Sequence, residues 1–188
     1  LPNHDRYLFH KRLPVTMYTD TFYSKVKSTR GNKCAQMYAT SFGWTRTFPI
    51  RKESEAKYTL TTLFNRDGIP NEMVMDGAKA QTKGKFRDIL REAQVHTRVT
   101  DPYSPWQNAA EEGIREVKRA SARRMFKKAT PHPLCDYCAE RESNVRSLTA
   151  LNIHGLDGQV PETLVTGQTP DISPWAMYDW YEWVMFND

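Results

Sequence analysis

The chain has 188 residues, room for one domain and a small appendage. It is 39% hydrophobic and 26% charged, which suits a core under a solvated surface, and no run is long and apolar enough to span a bilayer. A formal charge of +5 and a pI near 9.1 favour a polyanionic partner.

The chain opens Leu1-Pro2-Asn3-His4-Asp5-Arg6, with neither an initiator methionine nor a signal-peptide pattern. It therefore reads as a segment of a longer protein. Residues 1–12 are polar and basic without a clear period, as expected of a linker. Strand-like runs follow at about 15–23, 33–40 and 44–50. The turns between them hold Gly31-Asn32 and Ser41-Phe42-Gly43, so an antiparallel meander is predicted. A helix is predicted at 53–65, because Ala56, Leu60, Leu63 and Phe64 share one face. Gly68 is placed to end it. A short strand at 72–75, a helix at 84–93 striped by Phe86, Ile89 and Leu90, and a strand at 95–99 complete the pattern. The order β-β-β-α-β-α-β-α predicts an α/β fold, a mixed five-stranded sheet with helices on its faces.

Pro102, Ser104, Pro105 and Gln107 form a breaker-rich loop. In the helix after it, Ala110, Ile114, Val117, Ser121 and Met125 share a core face. Asn108, Glu112, Arg115 and Arg119 lie on the opposite side at 100° per residue. Another helix is predicted over 134–151. Residues 152–188 change character and end in a dense aromatic run from Trp175 to Phe186. The division expected is a linker at 1–12, a core domain at 13–151 and an aromatic-rich extension at 152–188, whose aromatic run is either an ordinary packing strand or, by resemblance, the start of a small β-rich unit.

Three cysteines argue against a disulfide framework and for a reducing compartment. Cys135 and Cys138 have CxxC spacing with His132 nearby. No second pair follows at zinc-finger spacing, so they read as helix-borne cysteines facing a core or groove.

Asp20 lies in the first strand, Asp76 ends the fourth, and Glu112 opens the basic helix. Thirty-five residues separate Asp76 from Glu112. Two strand aspartates and a helical glutamate can converge on two divalent ions, Mg²⁺ or Mn²⁺, that stabilise the attacking and leaving oxygens of a phosphodiester. Asp20 is the natural bridging ligand, with Asp76 and Glu112 each holding one ion. Glu111 competes with Glu112, but points about 100° away from the face shared with Asn108, Arg115 and Arg119. Arg115, Lys118, Arg119, Arg123, Arg124, Lys127 and Lys128 follow. A basic helix is often only a solvated face. Here the stripe continues the carboxylate face, so Arg115, Lys118, Arg119 and Arg123 are assigned to nucleic-acid phosphates. Tyr103, Gln107 and Asn108 either bond or stack on nucleic acid, or are plain loop residues.

Tyr18-Thr19-Asp20, Val74-Met75-Asp76-Gly77 and Pro102-Tyr103-Ser104-Pro105-Trp106-Gln107-Asn108 through Glu112 resemble the catalytic core of retroviral-type integrases. The tail Pro161-Glu162-Thr163-Leu164 through Gly167-Gln168-Thr169-Pro170-Asp171 narrows the resemblance to copia-type long-terminal-repeat retrotransposons. The resemblance implies an RNase H-like fold and a DDE polynucleotidyl transferase in which Asp20, Asp76 and Glu112 are the catalytic and metal-binding carboxylates. It implies trimming of element DNA ends by water, then attack of the 3′-hydroxyl on target DNA. Its implied partners are double-stranded DNA and further copies of the chain. Its implied location is the nucleus, after a cytoplasmic particle stage. The family's N-terminal zinc module is not recognisable around His4 and His10. Where the family has Asn-Gly this chain has Asn108-Ala109, and where it has a glycine and an acidic residue soon after the second aspartate this chain has Gly77-Ala78-Lys79-Ala80. A core that has lost catalysis and only binds DNA or oligomerises, and a ribonuclease of the same fold, are the competing readings.

Overall fold

The computed structural model describes residues 10–76, 84–100, 108–153 and 155–184. Five strands form one sheet: β1 (Arg12–Tyr23), β2 (Cys34–Ala39), β3 (Thr45–Ile50), β4 (Ile69–Met75) and β5 (His96–Val99), in the order β3-β2-β1-β4-β5. β1, β2 and β3 pair antiparallel, as the turn glycines predicted. α1 (Ala56–Arg66), reached through a 3₁₀ turn at Glu53–Glu55, then carries the chain back so that β4 pairs parallel to β1. A parallel neighbour requires such a crossover. α2 (Lys85–Glu92) leads to β5, parallel to β4. α3 (Ala109–Lys127) and α4 (Cys135–Leu148) follow, then two short helices, α5 (Pro161–Thr166) and α6 (Ser173–Ala176). This is the mixed α/β architecture expected. No described helix is long and apolar enough to cross a membrane.

Alternation along β1 divides the core into two layers. Leu13, Val15, Met17 and Thr19 are buried on one face, where Leu60, Leu63 and Phe64 of α1 and Phe86 and Leu90 of α2 meet them. The other face carries Tyr18, Asp20 and Phe22, under α3 and α4. There Met37 and Ala39 pack against Ala110, Ile114, Val117 and Ala139. β2 is buried along its whole length because both faces are covered.

β1 and β4 are longer than the sequence pattern suggested. β4 begins at Ile69 despite Pro70, which has no N–H to give the ladder. The register shifts there: Leu13 faces Pro70 and Thr16 faces Glu72, so β1 carries an extra residue. Gly68, at φ +125°, makes the turn into β4, and a Cβ there would lie 2.6 Å from the Lys11 carbonyl. Only glycine fits that approach.

The described part of the C-terminal extension carries two short helices, α5 and α6. Pro161 and Pro174 sit in the first turns of α5 and α6, where a missing N–H costs nothing. Val165 of α5 joins the main core, and Leu156 is also buried. A buried ion cluster ties this segment down. Arg46 of β3 donates to Asp67 at 3.0 Å and to Glu162 of α5 at 2.7 Å, and the Trp44 indole N–H donates to Glu162 at 2.8 Å. Arg46 and Asp67 are 5% and 4% exposed, so neither charge is solvated well by water. Burial raises the Asp67 pKa, and Arg46 is the main counterweight.

Arg46→Ala leaves two carboxylates without their shared cation and should cost about 3–5 kcal/mol in urea unfolding near neutral pH. The loss should shrink as pH falls and Asp67, whose carboxyl is raised by burial, takes a proton. A cost below about 1 kcal/mol would mean that water replaces the guanidinium.

Candidate active site and nucleic-acid face

The parallel register places the two aspartates. Thr19 of β1 faces Met75 of β4, so Asp20 and Asp76 take the next positions on neighbouring strands, which run about 4.8 Å apart. Asp20 is half-buried and Asp76 exposed. The Thr21 N–H donates to Asp20 Oδ1 at 2.7 Å. The Asp20 carboxyl is nevertheless pushed up to about 6, chiefly by burial, with added repulsion from Asp76 and Glu111. The Thr21 bond and the Lys118 ammonium pull the other way.

α3 brings its acids to this place through its cap and one glycine. Asn108 Oδ1 accepts from the Ala110 N–H at 3.0 Å and starts the helix. Asn108 is 4% exposed, and its Oδ1 serves that cap. Gly113 lets the helix approach the sheet: a Cβ there would meet Thr45 at 3.2 Å and Ala39 at 3.4 Å. With Ala110, Gly113, Ile114 and Val117 against β2 and β3, the two glutamates diverge. Glu111 lies on the β1 flank, one heptad before Lys118, whose ammonium is 5.1 Å from the Phe22 ring centroid. Glu112 is 65% exposed, 3.9 Å from Arg115, beside a recess walled by Thr40, Ser41, Gly43 and Arg146.

Asp76 and Glu111 both add repulsion at the Asp20 carboxyl, and Glu112 is exposed on the same turn of α3 beside Arg115, the face that helical phase predicts. Among the described residues, no three His, Cys, Asp or Glu side chains gather closely enough to hold a metal ion. Asp20 and Asp76 do offer adjacent hard oxygens whose repulsion a divalent cation would relieve, so two of the expected ligands suit Mg²⁺ or Mn²⁺. The third carboxylate from α3 is not closed over them.

Arg115, Lys118, Arg119 and Arg123 are exposed along α3. Tyr103, Gln107 and the Gly77-Ala78-Lys79-Ala80 segment lie outside the described residues. A groove of about 780 Å³ runs between the β1–β2 hairpin, the second half of α3 and the start of α4. Cys135 and His132 line it, with Cys135 Sγ 3.5 Å from Ser24 Oγ. Cys138 is buried, and burial pushes its thiol up to about 12. That matches cysteines facing a core or groove.

This is the fold of a retroviral integrase catalytic core, of the RNase H-like kind. Among the solved structures that share it are the following two. One is the human T-cell lymphotropic virus 2 integrase catalytic core domain in complex with magnesium, in trimeric form, at TM-score 0.62 and 14% identity, covering 81% of this chain and 97% of that one. The other is the simian T-cell lymphotropic virus intasome in complex with PP2A regulatory subunit B56 gamma, at TM-score 0.64 and 16% identity, covering 87% of this chain. The chain spans 60% of the length of that intasome chain. No family model and no curated protein matches the sequence.

Burial disfavours ionised Asp20, so the folded state holds this proton more tightly than the unfolded chain, whose carboxyl titrates near 3.8. The stabilising contribution is full below 3.8 and is lost as pH rises through about 6. Asp20→Asn should therefore stabilise the protein near pH 7.5 by on the order of 1 kcal/mol, after allowance for solvent screening. Thermal melts of variant and parent should converge near pH 4. An unchanged difference between the two pH values would place Asp20 in open solvent.

Proposed function

We propose that this chain is the catalytic core of an integrase of the copia type of long-terminal-repeat retrotransposon. It processes the 3′ ends of element DNA and joins them to target DNA. The observation that carries this reading is the side-by-side placement of Asp20 and Asp76 by the β1–β4 register, beside the start of a basic helix. The tail motif at 161–171 supports the narrower retrotransposon assignment, and the fold shared with retroviral integrase cores supports the reaction class.

In this reading Asp20 and Asp76 hold a divalent ion, Mg²⁺ or Mn²⁺, with an α3 glutamate completing a two-ion set. Such ions activate the attacking oxygen and stabilise the leaving one. The chain's own residues do the positioning. Thr21 fixes one Asp20 oxygen through its N–H, and Asn108 sets where α3 begins. Arg115, Lys118, Arg119 and Arg123 take phosphates of the duplex, which orients the scissile bond toward the aspartates. The magnesium in the HTLV-2 core structure supports the choice of ion. The trimeric form of that core and the intasome support a multimer working on DNA. Function in the nucleus after a cytoplasmic particle stage follows from the same assignment.

A second reading is a core that binds DNA without catalysis. The outward position of Glu112, 3.9 Å from Arg115, favours it.

Strand transfer of a labelled oligonucleotide duplex with Mg²⁺ or Mn²⁺ separates the two. Asp76→Asn should lower activity at least about 100-fold while DNA retention persists. Glu112→Gln should do the same, whereas a loss confined to Glu111→Gln would transfer the role to Glu111. Equal activity in Asp76→Asn would remove Asp76 from the chemistry. Parent protein that binds DNA but never joins strands would favour the non-catalytic core.

Arg119→Glu should weaken duplex binding several-fold and flatten its salt dependence by about one unit of slope. An unchanged slope would put Arg119 off the DNA path.

A further inference from the structure

The far end of α3 carries a second cluster that the carboxylate chemistry does not use. Three cations from two helices converge on one side chain of the C-terminal extension. Arg124 donates to Asp179 Oδ1 at 2.9 Å, Lys128 contacts Asp179 Oδ2 at 2.8 Å, and Arg141 of α4 lies 3.9 Å from Oδ1. Glu142 sits behind them and is 7% exposed. One of its oxygens accepts from Arg124 at 2.8 Å and from Arg141 at 2.9 Å, so both guanidinium groups are held with another edge toward Asp179.

Two fixed guanidinium groups and an ammonium around one pair of oxygens suit an oxyanion, and a phosphodiester presents such a pair. The Asp179 carboxylate occupies that position here. It is 42% exposed, so solvent reaches it and exchange requires no opening of the core. The cluster lies about 18 Å along the α3 axis from Glu112, past the exposed Arg119 and Arg123. A duplex following that stripe reaches it several phosphates away from the aspartates. The latch also has a second point, the Trp180 indole N–H donating to Thr130 Oγ1 at 3.0 Å.

We propose that Arg124, Lys128 and Arg141 form a backbone-phosphate site for duplex DNA, and that Asp179 fills it as a competitor, making the C-terminal segment a gate on DNA binding. The inference rests on the reading of the chain as a DNA-binding core. Lys and Asp have cancelling charges while the segment is docked, and displacing Asp179 exposes one more net positive charge to the phosphate. The Asp179 carboxyl is held down to about 2 by Lys128 and the Trp180 N–H, so the competitor stays ionised across the physiological range.

The test is anisotropy of a fluorescein-labelled duplex of about 30 base pairs, titrated with the full chain over a salt series. Asp179→Ala and Asp179→Asn should each tighten binding about threefold to tenfold and steepen the salt slope by about one. Asp157→Asn removes the same charge from an exposed turn that takes no part in the cluster, and should leave affinity within about twofold and the slope unchanged. Lys128→Ala combined with Asp179→Asn should return the slope to the parent value. Tightening of equal size in the Asp179 and Asp157 variants would overturn the gate and leave DNA binding intact. So would no tightening in either Asp179 variant when the parent binds. Failure of the parent and every variant to bind duplex at low salt would sink the DNA-binding reading, and the cradle with it.

Discussion

The parallel pairing of β1 with β4 is the constraint on which the rest of the site depends. Every other pair that β1 makes is antiparallel and arises from a local turn. The β4 pair needs α1 as a crossover, Gly68 as the turn back, and a bulge that absorbs Pro70. That one register brings residue 20 beside residue 76, although 55 residues lie between them. Slip the pair by one residue and one aspartate would turn to the α1 face of the sheet, among Leu60, Leu63 and Phe64. The same pairing buries Met17 and Met73 on the α1 side, so packing enforces the register that the chemistry uses.

Charge is then distributed along α3 in a way that serves both helix and site. Glu111 and Glu112 lie in its first turn, and Arg124 and Lys127 in its last. Each set complements the local end of the helix dipole. The acidic end sits over the aspartates, where repulsion already raises Asp20, and the basic end lies along the path proposed for DNA. Gly113 suits the close approach of helix to sheet, because a Cβ there would crowd Thr45 by a few tenths of an ångström.

The C-terminal extension is held by charges as much as by apolar contact. Glu162 reaches Arg46 and Trp44 from α5, and Asp179 reaches cations on α3 and α4. The first anchor is desolvated and structural. The second is half-exposed, and ion pairs of that kind exchange readily with other anions in solution. The two anchors thus differ in kind, and only the second is suited to release.

Much of the fold was legible in the residues themselves. Period-two runs and turn glycines gave the meander, and the stripes at 56–64 and 86–90 gave α1 and α2, because hydrophobic period is a local property. The buried face of α3 was also readable, as were Asp20 and Asp76 as strand-borne carboxylates. The start of β4 at Ile69 was not, since Pro70 argues locally against a strand and only its neighbour β1 overrules it. Nor was the short helix at 173–176 within an aromatic-rich tail, whereas Pro161-Glu162-Thr163-Leu164 reads as a helix start and opens α5.

By itself, then, the sequence determined the order of elements, the acids available and the basic character of α3. Those follow from side-chain chemistry and from periods a few residues long. Tertiary structure alone decided that Asp20 and Asp76 become neighbours and that Asp179 reaches across to Arg124 and Lys128. These depend on strand register and on contacts between distant segments, and no local pattern encodes the relative position of two surfaces until packing fixes it.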